Sequence, residues 1–105
     1  MASKRRAAQL LRSGAKRIET YGHVKGTYGS KSSGFCIQGS YGLTDSVGWS
    51  DDKVLAAKAL KKVLGQTGAV WNDLHTTTKD HVVRKMRQVA RLLEHGLQVS
   101  VKENK

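Results

Sequence analysis

The chain has 105 residues, of which 38% are hydrophobic and 26% charged, so it is predicted to fold as one small domain over residues 1–105. A chain of this length is too short to form two catalytic domains. Its 19 Lys and Arg against 8 Asp and Glu give a net charge of +11, which favours a polyanionic partner, nucleic acid first and an acidic protein second. A single cysteine excludes an intramolecular disulfide, and the lack of a long apolar segment predicts a cytoplasmic protein with no signal peptide and no membrane partner.

The first predicted element is an amphipathic helix over residues 4–21. Apolar residues recur at three- and four-residue spacings that place them on one side of a helix: Ala7, Leu11, Ala15 and Ile18. Basic residues occupy the other side, three in alignment and two flanking them: Arg5, Arg12 and Lys16, then Arg6 and Arg17. Gly22 is placed to end the helix, so we expect one face to pack and the other to present positive charge.

Between residues 22 and 48 the composition changes to glycine, serine, threonine and tyrosine. Residues 23–34 are typical of a loop or small hairpin, because glycine permits positive φ and serine favours turns. Residues 35–43 are compatible with two interpretations. Phe35, Ile37 and Tyr41 suit a strand, whereas Cys36, Gly39 and Leu43 would give a helix a narrow, close-packing seam.

The second long helix is predicted from Asp51 to about Leu64. Ser50 can cap its first free amide groups, and the carboxylates of Asp51 and Asp52 oppose the positive end of the helix dipole. Gly65 is the expected C-terminal cap. The predicted buried face comprises Ala56, Ala57, Leu60, Val63 and Leu64, and the predicted solvent face comprises Lys58, Lys61 and Lys62.

The last predicted helix follows a short apolar piece, residues 68–74, which leads into an Asn-Asp turn. Thr77 or Thr78 is the expected cap, and the helix is expected to end at Gly96. The predicted core side comprises Val82, Val83, Met86, Val89, Ala90 and Leu93, and the opposite side carries Arg84, Arg87 and Arg91. Beyond it we expect an extended tail, with frayed ends at residues 1–4 and 99–105.

Short motifs in a fixed order carry a resemblance to a known family: AAQLLRSGAKRIETYGH, then GFCIQGSYGL, an Ala-rich helix and VWNDLHTTTKDHVVRKM. The chain resembles a family of small uncharacterised proteins from actinobacteria and their phages. In that family a Cys-x-x-Gly segment precedes an Ala-rich helix, a Trp-Asn-Asp turn and a Thr-capped helix. The resemblance implies a short helix within residues 35–43, a structural turn at residues 71–73 and a bacterial or phage-infected host cell. It implies no activity.

The predicted fold class is mainly α. We expect a compact bundle of three long helices plus one short helix, with a Gly-rich loop or small hairpin between the first and second long helices.

No pattern indicates catalysis, and neither a metal nor a cofactor is expected. Residues 26–32 lack the glycine before Lys31 that a nucleotide-binding P-loop requires. Cys36, between two apolar residues, is typical of a small buried side chain rather than an activated nucleophile. His75 and His81 are six residues apart, which does not align two metal ligands on one helix face.

The basic rows are the strongest functional signal. One row alone is typical of a solvated helix face, but their sum favours phosphate neutralisation with counterion release. The sequence therefore predicts a small non-enzymatic module that binds DNA or RNA through phosphates with low sequence specificity; the alternative is a protein-interaction module, such as a phage factor, that binds an acidic surface of a host protein. The predicted nucleic-acid-binding residues are Arg5, Arg12, Lys16, Arg17, Lys58, Lys61, Lys62, Arg84, Arg87 and Arg91.

Overall fold

The computed structural model describes residues 3–42 and 50–99, and within them the chain is mainly helical, as predicted. The elements in chain order are α1 Lys4–Tyr21, β1 Gly29–Ser30, β2 Gly34–Phe35, α2 Ile37–Ser40, α3 Asp51–Leu64, α4 Gly68–Asn72 and α5 Lys79–Glu94. The prediction of a single short helix was wrong, because both α2 and α4 are short helices. Predictions for residues 43–48, and most of those for the two ends, lie outside the described residues. Within residues 3–42 and 50–99, no helix has the length and apolar content to span a bilayer.

Helix α1 has the predicted bounds, and its caps explain them. The Ser3 hydroxyl accepts a hydrogen bond from the Arg6 amide at 3.2 Å, which satisfies one of the free donors of the first turn. At the other end the Gly22 amide donates to the Ile18 carbonyl at 2.8 Å. Gly22 then leaves the helix with a φ of 106°, a conformation that a residue with a side chain rarely adopts.

Helices α1 and α5 form the central pair of the core. They are antiparallel, because Arg12 of α1 pairs with Glu94 at the end of α5, and Glu19 of α1 pairs with Arg87 about two turns earlier in α5. Small α1 residues let the two backbones approach, and larger side chains fill the space around them. The buried residues are Ala7, Ala8, Leu11, Ala15 and Ile18 of α1 with Val82, Val83, Met86, Val89, Ala90 and Leu93 of α5.

Helix α3 packs against α1 with a rotation that differs from the prediction. Leu55 and Ala59 are buried together with the predicted Ala56 and Leu60, whereas Ala57, Val63 and Leu64 are only partly buried. Asp52 provides the reason. Its carboxylate accepts hydrogen bonds from the Ser3 amide at 2.8 Å and the Arg6 guanidinium at 3.0 Å, which turns the line of residues 52, 55, 56 and 59 towards α1.

The Gly-rich segment forms a two-stranded antiparallel sheet and then enters α2. Gly29 is opposite Phe35 and Ser30 is opposite Gly34 in the pairing of β1 with β2. Of the described residues 35–42, only Phe35 is therefore in a strand, and the short helix implied by the family resemblance is present as α2. Cys36 caps that helix, since its sulfur accepts a hydrogen bond from the Gly39 amide at 3.2 Å.

Glycine at position 39 is required by a close approach of two backbones. A Cβ added to Gly39 would lie 2.1 Å from the carbonyl oxygen of Tyr28. The Tyr28 carbonyl also accepts a hydrogen bond from the Cys36 amide at 3.2 Å, so the strand cannot move away without losing that bond. The Cys-x-x-Gly pattern thus combines a helix cap with the residue that lets Tyr28, immediately before β1, lie against α2.

The predicted Trp-Asn-Asp turn is instead the end of helix α4, with Asp73 as its C-terminal cap. The side-chain amide of Asn72 links this helix end to two other segments of the chain. Its Oδ1 accepts hydrogen bonds from the Ile37 amide at 2.9 Å and from His23 Nε2 at 2.7 Å, and its Nδ2 donates to the Val24 carbonyl at 3.1 Å. Fully buried, Asn72 therefore joins α4, the start of α2 and the segment after α1.

Helix α5 begins at the predicted cap and ends slightly early. The Thr78 hydroxyl accepts a hydrogen bond from the His81 amide at 3.3 Å, which selects Thr78 over the buried Thr77. The helix ends at Glu94 with His95 as its cap, and Gly96 follows with a φ of 98°.

Candidate functional site

A shallow groove of about 840 Å³ lies along the solvent-exposed face of α5. Five cationic side chains line it, four from α5 and one from α1: Arg84, Lys85, Arg87 and Arg91, with Arg12. His81, Trp71 and neutral polar residues complete the wall. Among the residues that the structure describes, no Asp or Glu lines the groove. The groove is therefore a concentrated region of positive potential.

Helical periodicity places the α5 side chains together. His81, Arg84, Lys85 and Gln88 are spaced by three or four residues, and Arg91 continues the same line. The opposite side of the helix carries the buried apolar residues, so packing of the core fixes the direction in which the cationic face points. Helix α1 adds Arg12 because it lies antiparallel beside α5.

Two of the five cations are held by carboxylates at the border of the groove. Arg12 Nη2 lies 2.5 Å from Glu94 Oε1, and the two Nη atoms of Arg87 donate to the two oxygens of Glu19 at 2.9 and 3.1 Å. The arginine hydrogen bonds lower the pKa of both Glu19 and Glu94. Because these pairs are exposed to water, they orient the guanidinium groups more than they stabilise the fold.

The other three cations, Arg84, Lys85 and Arg91, have no carboxylate within ion-pair distance in the described part of the chain. Arg84 Nε lies 3.4 Å from the Asp80 carbonyl, and Lys85 Nζ donates to the Gln88 side chain at 2.9 Å. These contacts are neutral, so the groove keeps three full positive charges for an external anion.

Replacing Glu94 by glutamine is expected to reduce the acid sensitivity of the protein. The folded-state pKa of Glu94 is lowered by Arg12, so its contribution to stability is present above the unfolded-state pKa, about 4.3, and is lost as pH falls through the lower folded-state value. Thermal unfolding between pH 6 and pH 3 measures this. We expect the midpoint of the wild type to fall further than that of Glu94→Gln, and equal falls would show that the pair adds nothing.

Trp71 is the aromatic member of the groove. It is partly buried and packs against the hydrophobic core at the end of α4. Its backbone carbonyl accepts a hydrogen bond from the Thr77 hydroxyl at 2.7 Å, which ties it to the segment leading into α5. The family resemblance implied a turn at Trp71, and the predicted nucleic-acid-binding residues did not include Lys85 and His81. The three- and four-residue spacing that links residues 81, 85, 88 and 91 was the available signal for the latter two.

The structure brings together only part of the predicted basic set. Arg12, Arg84, Arg87 and Arg91 share the groove, and Lys16 lies close enough to Glu19 to act on it electrostatically. Arg5 is exposed on the same side of α1 but does not line the groove. Arg17 is on the other flank of α1, where it donates to the Ser40 carbonyl at 2.7 Å.

The lysine row of α3 forms a separate surface. Lys58, Lys61 and Lys62 line a second depression, of about 350 Å³, together with Gln98 and Val99. Lys62 Nζ donates to the Gln98 carbonyl. These three lysines are therefore not part of the α5 groove.

Cys36 lies in a different environment from an activated nucleophile. Its thiol is buried as the cap of α2, and this burial raises its pKa. Within residues 3–42 and 50–99, no cluster of three or more His, Cys, Asp or Glu side chains is placed to hold a metal ion.

A family model described as a family of unknown function (DUF6197) matches residues 2–92. The matched range includes α1 to α4 and all but the last two residues of α5. No curated protein and no solved structure matches the chain.

Proposed function

We propose a function for this chain, which belongs to the family of unknown function DUF6197. In this proposal it is a small non-enzymatic module that binds nucleic acid through phosphates. The groove on α5 carries the proposal, because five cationic side chains line it and none of its lining residues in 3–42 and 50–99 carries a carboxylate. Three of the five, Arg84, Lys85 and Arg91, are free of acidic partners among the described residues. Arg12 and Arg87 supply two further guanidinium groups at its border.

Phosphate is the anion that fits this arrangement best. Guanidinium groups bind phosphate oxygens in a bidentate fork, and binding releases counterions condensed on the nucleic acid. A run of phosphates can engage several cations at once, which a single carboxylate cannot. Contacts of this kind position a strand without reading its bases, so we expect low sequence specificity.

The triple replacement of Arg84, Lys85 and Arg91 by alanine is expected to weaken binding to labelled DNA and RNA oligonucleotides by about tenfold or more at low salt. For the wild type, the logarithm of the association constant should fall as the logarithm of the salt concentration rises. The expected slope is about −2 to −3, which corresponds to about three phosphate contacts. Fluorescence polarisation across a salt series measures both quantities. In the variant the slope should be much smaller in magnitude, because only Arg12 and Arg87 of the five groove cations remain.

A matched control separates the groove from overall charge. Replacing Lys58, Lys61 and Lys62 by alanine removes the same number of positive charges from the separate α3 surface. We expect this variant to retain most of the affinity. An equal loss in both variants would reject the groove in favour of binding by net charge. No binding by the wild type at low salt would reject nucleic acid altogether and leave an acidic protein surface as the partner.

A further inference from the structure

We infer that the groove binds single-stranded rather than duplex nucleic acid and that one base stacks on the indole of Trp71. This inference rests on the proposed function and specifies its ligand. It follows from the position of an aromatic side chain within a wall that is otherwise cationic and polar.

Trp71 has the attributes of a fixed stacking surface. Part of the side chain packs against the core and part faces the groove, so its orientation is set before a ligand arrives. The Trp71 amide donates to the Thr67 carbonyl at 3.0 Å, and the Thr77 hydroxyl donates to the Trp71 carbonyl at 2.7 Å. No hydrogen bond joins the indole nitrogen to any residue in 3–42 or 50–99.

The cations near Trp71 are placed to hold the backbone of the same strand. Lys85 and Arg84 line the groove with Trp71, and Arg91 extends the row along α5. From residue 84 to residue 91 the helix rises about 10 Å, a length that matches about three phosphates of a stacked strand. A short strand can thus contact Arg84, Lys85 and Arg91 while one of its bases lies against the indole.

Duplex nucleic acid cannot use this arrangement fully. Its bases are already stacked inside the helix, so a tryptophan at the edge of a phosphate-binding groove gains no base contact. In single-strand binding proteins, aromatic stacking and a cationic track occur together because every base has a π-face. The pairing of Trp71 with the cationic row favours the single strand for this reason.

The test uses the full chain with Trp49 replaced by phenylalanine, which leaves Trp71 as the only indole. Titration with single-stranded DNA or RNA should quench its fluorescence, whereas duplex DNA at the same phosphate concentration should not. In polarisation assays, Trp71→Leu should lower single-strand affinity about tenfold and duplex affinity less than twofold. Trp71→Phe keeps an aromatic ring and should retain most of the affinity. Circular dichroism melting checks that each variant folds.

The outcomes separate this inference from the proposed function. Duplex binding equal to or tighter than single-strand binding, without quenching, would overturn the single-strand preference and leave phosphate binding intact. The fluorescence measurement retains Trp71, so this result does not depend on the folding of the leucine variant. Absence of binding to every nucleic acid at low salt would reject the proposed function itself.

Discussion

Replacing Asn72 by leucine is expected to lower the free energy of unfolding by about 3 kcal/mol, since a buried polar group that loses its partner costs about 1–3 kcal/mol. Leucine has a similar size but provides neither acceptor nor donor. The Ile37 amide, His23 Nε2 and the Val24 carbonyl would each lose a hydrogen bond, the first of them buried and the other two partly buried. Urea unfolding followed by circular dichroism measures the change.

Val70→Ala is the matched control on the same helix. Val70 is 54% exposed, so removing its methyl groups should change the free energy of unfolding by less than about 0.5 kcal/mol. A leucine variant at position 72 as stable as this control would show that the amide is not the link between α4 and α2. We expect instead that the Asn72 variant loses a substantial part of the stability of a domain of this size, which is about 5–15 kcal/mol.

Replacing Gly39 by alanine is expected to lower the free energy of unfolding by about 2 kcal/mol or more, the cost of forcing extra atoms into a packed site. The added Cβ would lie 2.1 Å from the Tyr28 carbonyl oxygen and 2.9 Å from the Tyr28 carbonyl carbon, both backbone atoms. Either α2 or β1 must move, which would break the bond from the Cys36 amide to Tyr28. The same denaturant titration measures the loss.

Gly65→Ala distinguishes this contact from the ordinary conformational preference of glycine. Gly65 has a φ of 77° and no atom within 4 Å of an added Cβ, so alanine there costs only the left-handed conformation, about 1 kcal/mol. Gly39 is within a helix, where alanine is otherwise favoured by about 1 kcal/mol. A stabilised Gly39→Ala protein would therefore contradict the close approach directly.

The positions of the long helices could be predicted because their signals are local. The start of α3 is marked by Ser50 followed by Asp51 and Asp52. The C-terminal caps Gly22 and Gly65 mark the ends of α1 and α3. Each signal needs only a cap or a periodic apolar face within one segment. The mainly helical class follows from these segments alone.

The candidate site could be predicted only in part because it depends on how separate segments meet. Nothing local to α1 shows that Arg12 lies beside α5 while Arg17 contacts Ser40 on the opposite flank. The rotation of α3 was missed for the same reason, since Asp52 was interpreted as a dipole partner and also binds α1. Asn72 was interpreted as a turn former because its three partners come from distant segments.

The antiparallel pairing of α1 with α5 has a consequence for the order of folding during synthesis. The ion pairs between these helices join residues 68 and 82 positions apart, so α1 leaves the ribosome well before α5 and must wait for it. Until then, the apolar side of α1 lacks its main cover, and helix α3 can shield only part of it. A nascent chain of this protein therefore exposes chaperone-accessible apolar surface until α5 has emerged, and its core closes only when α5 is free to pack against α1.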